Sequence, residues 1–232
     1  MPFMEFTNYG YFEKGVEVSD GYYRIRFLND KNRGAVWREI VRYLKKFIPK
    51  EGAVLDLGAG YCDFINQVGA QDRYALDVNE NLSKYTAAGV KPLVGKTEEV
   101  LEQFANNSVG LVFSSNFLEH LNWPEIERVA FQVRRILPEG GCWIIIQPNF
   151  KYAYRGYFDD YTHRTIFTET SLSDYLASKG FILEQKFARF LPFSFHTRLP
   201  KLAFLVRIYL RLPFKPWGRQ MLIIVRKKKN VA

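Results

Sequence analysis

The 232-residue chain, 47% hydrophobic, is long enough for one large α/β domain with appendages, and its two cysteines are too few for a disulfide framework and suggest no metal site by their spacing, so a reducing, cytoplasmic setting is expected. No signal peptide opens the sequence and no apolar stretch has the length to span a bilayer, so neither secretion nor transmembrane insertion is expected. The net charge of +9 is lopsided: residues 1–185 hold 21 of the 33 basic and all 24 acidic residues, a net −3, and the remainder carries 12 basic residues and no acid, with no nucleic-acid recognition motif beside them.

The first 30 residues, rich in Tyr and Phe without a period, read as an arm or lid, and residues 1–50 as that arm plus a leading helix. In the helix Val36, Trp37, Ile40, Val41, Leu44 and Phe47 recur at helical spacing until Pro49 and Gly52 end the run. Short β-type runs follow at Ala53–Leu57, Tyr74–Asp77, Lys91–Val94, Val109–Ser114 and Cys142–Gln147. Helical patterns fit between them at Asp63–Gly69, Glu98–Phe104 and Pro124–Leu137. Such alternation, with apolar strands, predicts a parallel sheet covered by helices on both faces. After an aromatic and polar loop to Phe167, a helix is expected from the N-cap Thr168 to Gly180, then strands at Phe181–Phe190 and Gln220–Val225. The core is thus residues 51–190, a proline-punctuated apolar and basic insert fills 191–219, and 220–232 form the last strand and a basic tail.

In an open parallel sheet ligands bind at the carboxyl ends of the strands. Asp56-x-Gly58-x-Gly60 follows the first strand, Asp77 ends the second, Thr97-Glu98-Glu99 follow the third and Ser114-Ser115-Asn116 the fourth. The glycines permit a tight turn and a close backbone approach, and Asp77, 19 residues beyond Gly58, is placed to accept from two ribose hydroxyls. A nicotinamide nucleotide would suit that much equally. However, the dinucleotide pattern requires glycine where this chain has Asp63, and Asp56 and Asp63 beside the loop would repel a pyrophosphate and suit a ligand with an ammonium group, a sulfonium and no phosphate.

These motifs, in this order and followed by Asn116-Phe117-Leu118-Glu119-His120-Leu121 and Arg135-Ile136-Leu137-Pro138-Glu139-Gly140-Gly141, resemble the class I S-adenosylmethionine-dependent methyltransferases over roughly residues 50–190. The resemblance implies a Rossmann-like, doubly wound α/β fold with a mostly parallel seven-stranded sheet, its last strand antiparallel, and S-adenosylmethionine as cofactor, leaving as S-adenosylhomocysteine. It carries Asp56, Gly58, Ala59 and Gly60 to the methionine part of the cofactor, Asp77 with Val78 to the ribose, Thr97 and Glu98 to the adenine side, and Ser115 and Asn116 to the methyl-donor pocket. Cys62 departs from the pattern, which commonly has a third glycine there. Glu119 and His120 read as residues that cap or orient the loop after the fourth strand.

Methyl transfer needs mainly alignment and exclusion of water, but a hydroxyl acceptor must also lose a proton, for which a base is useful. His163, in Asp159-Asp160-Tyr161-Thr162-His163, lies where the loop after the fifth strand should cover the methyl donor, so His163 is the candidate base with Asp160 or Asp159 as its carboxylate partner. Gln147-Pro148-Asn149, the Asp-x-x-His loop and the insert before Gly218-Arg219-Gln220-Met221 resemble methyltransferases of bacterial surface-polysaccharide assembly. That resemblance implies a sugar hydroxyl, on a nucleotide- or lipid-linked glycan or another small molecule, as acceptor. The insert's apolar residues, Leu199 to Leu212, fall on nearly every side of a helical wheel. Residues 198–229 either pack under the domain or lie on an anionic membrane surface, which would put the protein at the inner face of a membrane. Two further readings remain at this point: an RNA or protein methyltransferase using the basic tail as a platform, or a non-catalytic cofactor-binding partner of a membrane glycosyltransferase.

Overall fold

The computed structural model describes residues 33–192 and 203–229; the aromatic arm, His196 and Arg198 lie outside the described residues. Strands β1 (Ala53–Leu57), β2 (Asp72–Asp77), β3 (Val90–Val94), β4 (Val109–Ser115), β5 (Cys142–Pro148), β6 (Phe181–Leu191) and β7 (Gln220–Lys227) form one sheet in the order β3-β2-β1-β4-β5-β7-β6. β3, β2, β1, β4 and β5 pair in parallel, and β7 runs antiparallel between β5 and β6, with Ile144 opposite Ile224 and Phe187 opposite Leu222. The Rossmann-like, doubly wound sheet of seven strands with an antiparallel last strand is therefore what the chain builds.

The helices are α1 (Arg33–Leu44), α2 (Thr97–Leu101), α3 (Trp123–Ile136), α4 (Phe150–Ala153), α5 (Glu169–Ser178) and α6 (Ala203–Arg211). β1 and β5 are buried along their whole length, as central strands covered on both faces require. Successive residues feed opposite cores: Leu55, Leu57, Trp143 and Ile145 pack with Ile126, Val129 and Val133 of α3 and Leu172 and Leu176 of α5. Val54, Phe113, Ile144 and Ile146 pack with Trp37, Ile40 and Leu44 of α1. α3 is fixed at its start by a capping box, in which Asn122 Oδ1 accepts the Glu125 amide at 3.0 Å and Glu125 Oε2 accepts the Asn122 amide at 2.7 Å. Thr168 caps α5 as expected, accepting the Ser171 amide at 3.1 Å.

One expectation is corrected. The segment Asp63–Gly69 forms no α-helix, only a 3-10 turn at Ile65–Gln67. Its Asn66 side chain is spent on the chain beyond β2, donating to the Tyr85 carbonyl and accepting from the Ala87 amide, both at 2.8 Å. β2 moreover starts at Asp72, leaving too few residues for a stable helix. In the insert, α6 is apolar all round, as its sequence indicates, and packs one side while exposing the other. Leu210 is buried, Val206 packs against the α1 side core, and Arg207 donates to both carboxylate oxygens of Glu39 on α1 at 2.8 and 2.9 Å. The opposite face is exposed. Among the described residues no helix is long and apolar enough to cross a membrane.

Candidate cofactor and acceptor site

The register sets Leu57 beside both Leu76 and Ser114, so the carboxyl ends of β1, β2 and β4 finish level and their following residues converge. Gly58 turns the chain with φ +66°, and a Cβ there would come within 2.7 Å of Phe117 Cδ2. Gly60 has φ +52° and donates its amide to Asp77 Oδ2 at 2.8 Å, while Asp77 Oδ1 accepts the Asn79 amide at 3.0 Å. The Ala59 amide donates to the Leu76 carbonyl at 3.0 Å. The acid that ends β2 thus holds the turn that follows β1, and Val78 beside it is exposed. At Cys62, where the family commonly has glycine, φ is +58°, so the backbone keeps the left-handed conformation although the residue bears a side chain.

Asp56 is buried, and its carboxyl is pushed well above the ordinary range first by burial and then by Asp77 and Asp63, with the Ile65 amide opposing. Asp63, expected as a second free carboxylate at the loop, is ion-paired with Arg33 instead. The acidic group left without a cation therefore lies deeper, at Asp56, whose anionic form an ammonium or sulfonium group would favour. Farther along, Thr97 is buried in the first turn of α2, and Glu98 points its carboxylate to Arg128 at 3.5 Å. Buried Asn79, beside Asp77, leaves its Nδ2 without a partner, a donor that sequence reasoning passed over.

Ser115 ends β4, and Asn116 follows with φ +51°. Its amide donates to the Ile146 carbonyl at 2.9 Å and its Oδ1 accepts from Gln220 Nε2 at 2.7 Å, which ties it to both β5 and β7. Beyond it, the loops after β4 and β5 are stapled together. The Glu119 carbonyl accepts the Arg164 and Thr165 amides at 2.7 and 3.1 Å, Thr165 Oγ1 donates to the Leu121 carbonyl at 2.6 Å, and the Tyr157 hydroxyl donates to the Thr165 carbonyl at 2.6 Å.

These bonds bring His163 against His120, with ring centroids 4.9 Å apart, and against Tyr157 at 4.5 Å. Asp160 Oδ1 accepts the Thr162 amide at 3.1 Å and the Thr162 hydroxyl at 2.6 Å, and Thr162 Oγ1 lies 2.9 Å from His120 Nδ1. Asp160 and His163 share one loop, and the Asp160 carboxylate reaches His120 through Thr162. Glu119, fully buried below, has its carboxyl pushed up to about 8, chiefly by burial, while burial and then His163 press His120 down to about 4. Glu119, His120 and Thr162 thus enter a polar cluster that the sequence motif alone did not assemble.

Residues 55–145 match the family model described as a methyltransferase domain. Similar solved structures include a SAM dependent methyltransferase from Archaeoglobus fulgidus, 17% identical, TM-score 0.64, covering 84% of this chain and 94% of that one. Another is an S-adenosylmethionine dependent methyltransferase from Mesorhizobium loti, 15% identical, TM-score 0.59, covering 82% of this chain and 98% of the other. No curated protein matches the sequence. At these identities the structures speak to the fold; the domain match speaks to the chemistry. The chain carries a methyltransferase domain and, with it, the activity and cofactor of an S-adenosylmethionine-dependent methyltransferase.

Proposed function

We propose that the methyl group goes to a hydroxyl of a sugar or glycan, nucleotide- or lipid-linked, in the manner of the surface-polysaccharide methyltransferases that the loop motifs resemble. The observation that carries this reading is the imidazole and carboxylate cluster of His163, His120, Thr162 and Asp160 at the Asn116 end of the strands, beside the expected methyl donor. An amine acceptor brings its own lone pair once neutral, whereas a hydroxyl gains from a positioned base, so such a cluster fits oxygen better. His163 and Asp160 are the residues assigned to the acceptor, and Asp56, Gly58, Ala59, Gly60, Asp77, Val78, Thr97, Glu98, Ser115 and Asn116 those assigned to the cofactor. The test is transfer of labelled methyl from S-adenosylmethionine to a panel of sugar nucleotides and lipid-linked sugars. Transfer lost in His163→Asn, with cofactor binding retained, supports the reading; labelling of RNA or protein in place of any sugar refutes it.

The second part of the proposal is that the enzyme works at the inner face of an anionic membrane. Phe204, Leu205 and Ile208 share one face of α6, and with Leu212, Phe214 and Trp217 they are 37–66% exposed. Arg211 lies on the same face. Nearby, Lys186, Arg189 and Lys215 line a cleft of about 490 Å³ with Tyr152, Phe187 and Phe214. Apolar side chains flanked by cations, with no acid after Glu184, complement a bilayer of negative headgroups.

A further inference from the structure

Glu119 poses a problem that the methyl-transfer reading leaves unsolved. Its side chain is fully buried, and neither carboxylate oxygen has a hydrogen-bond partner. Protonation would not cure this, because a buried O–H and C=O need partners as much as a carboxylate does. Buried carboxylates are normally paired or bound to a metal. The groups at hand are two imidazoles: one ligating atom from each of Glu119, His120 and His163 can be chosen so that all lie within 4.8 Å of one another.

We propose that Glu119, His120 and His163 form a binding site for one divalent transition-metal ion of the zinc type. The donor set, two imidazoles and a carboxylate, is the kind that holds zinc with a fourth position left open. Bonds of about 2.0–2.2 Å bring tetrahedral ligands to roughly 3.5 Å from one another, so the side chains must close by about an ångström.

Proton bookkeeping in the surrounding shell leaves the correct nitrogen free. The single Thr162 hydroxyl proton goes to Asp160 Oδ1 at 2.6 Å, so at 2.9 Å the Thr162 oxygen must accept from His120 Nδ1. His120 then carries its proton on Nδ1 and presents the lone pair of Nε2. A metal-ligating histidine ordinarily has this arrangement, its far N–H held by an outer group that is itself anchored. Because the Arg164 and Thr165 amides are bonded to the Glu119 carbonyl, the two loops that supply the ligands are held together before any ion arrives.

The role of the ion, though not its binding, rests on the proposed methyl transfer. At the Asn116 end of the strands it would polarise an acceptor oxygen as a Lewis acid, and His163 would then serve as a ligand in place of a free base.

The test uses untagged full-length protein, stripped with chelator and titrated calorimetrically with zinc, with metal content measured after dialysis. One zinc per chain at micromolar or tighter Kd is expected. Glu119→Gln and His163→Asn should each weaken it at least 100-fold, and Thr162→Val, which disturbs only the outer group, by 10–100-fold. Thermal melts without zinc identify any variant that has failed to fold, and the Thr162→Val result does not depend on removing a ligand. Failure of the wild-type protein to take up zinc, or uptake that survives both ligand substitutions in folded protein, overturns the proposal. Titration with S-adenosylmethionine reports separately on the cofactor site, so zinc without cofactor binding would defeat the enzyme reading alone.

Discussion

Asp77 Oδ2 accepts the amide of Gly60 at 2.8 Å, so the carboxylate at the end of one strand fixes the turn at the end of its neighbour. The same side chain takes the Asn79 amide on its other oxygen. Asp77 therefore shapes the pocket as well as offering itself to a ribose. Asp77→Ala leaves two amides without their acceptor, and each such loss costs about 1–3 kcal/mol where water cannot substitute. The expected result is at least a 100-fold loss of S-adenosylmethionine affinity by calorimetry, with a lower denaturant midpoint. Unchanged affinity would remove Asp77 from the cofactor site.

Asp56 gives the site a pH signature. Its carboxyl is raised in the folded protein, mainly by burial and then by Asp77 and Asp63, so the free protein gains from its protonated form. That stability is fully present below the unfolded pKa of about 3.9 and is lost as pH rises through the elevated folded value. A cationic ligand favours the anion, so binding should release a proton, and affinity should fall as pH drops through that elevated value. Calorimetry between pH 5 and pH 8.5 checks this. Asp56→Asn should flatten the profile as well as weaken binding; a wild-type slope in that variant would exclude Asp56 as the source.

Gly58 is required twice over, by its φ of +66° and by Phe117 at 2.7 Å from the Cβ it lacks. The backbone term alone costs an L-residue about 1–2 kcal/mol, and Phe117 must also move from the start of the loop that carries Glu119 and His120. Gly58→Ala should therefore lower the unfolding midpoint and impair cofactor binding together. A variant with wild-type stability would show that the turn is less constrained than its geometry indicates.

How much of this was legible depends on where the partners lie in the chain. The glycine turn and the acid of β2 could be read directly, because strand-end chemistry falls on neighbouring residues that the hydrophobic runs already bracket. Cys62 hid its left-handed backbone, which only glycine would have advertised. Asp63 appeared free because nothing in the sequence announces its pairing with Arg33, 30 residues away. Likewise the contact of His120 with His163 follows from two backbone bonds to the Glu119 carbonyl, and backbone bonds leave no residue-type signature. The helical wheel of the insert was ambiguous for another reason: both faces of α6 are apolar, and only the position of Glu39 on α1 decides which one Arg207 draws inward.

That choice of face leads to the last prediction. With Arg207 clamped to Glu39 and Leu210 buried, α6 cannot turn its outer side chains into the core, so Phe204 and Ile208 stay in solvent along with Phe214 and Trp217. On an anionic surface the apolar side chains enter the interface while neighbouring cations meet the headgroups, each basic residue contributing about 1 kcal/mol. Sedimentation with vesicles should therefore show binding to phosphatidylglycerol mixtures, weak binding to pure phosphatidylcholine, and release by salt. Phe204→Ser with Trp217→Ser should reduce the partition at least tenfold without lowering the melting temperature, since neither side chain supports the core. Glu39→Gln should act differently, loosening α6 and exposing 203–211 to hydrogen exchange even without vesicles. Equal binding to neutral and anionic vesicles, or none to either, would mean that this face does not dock on an anionic bilayer.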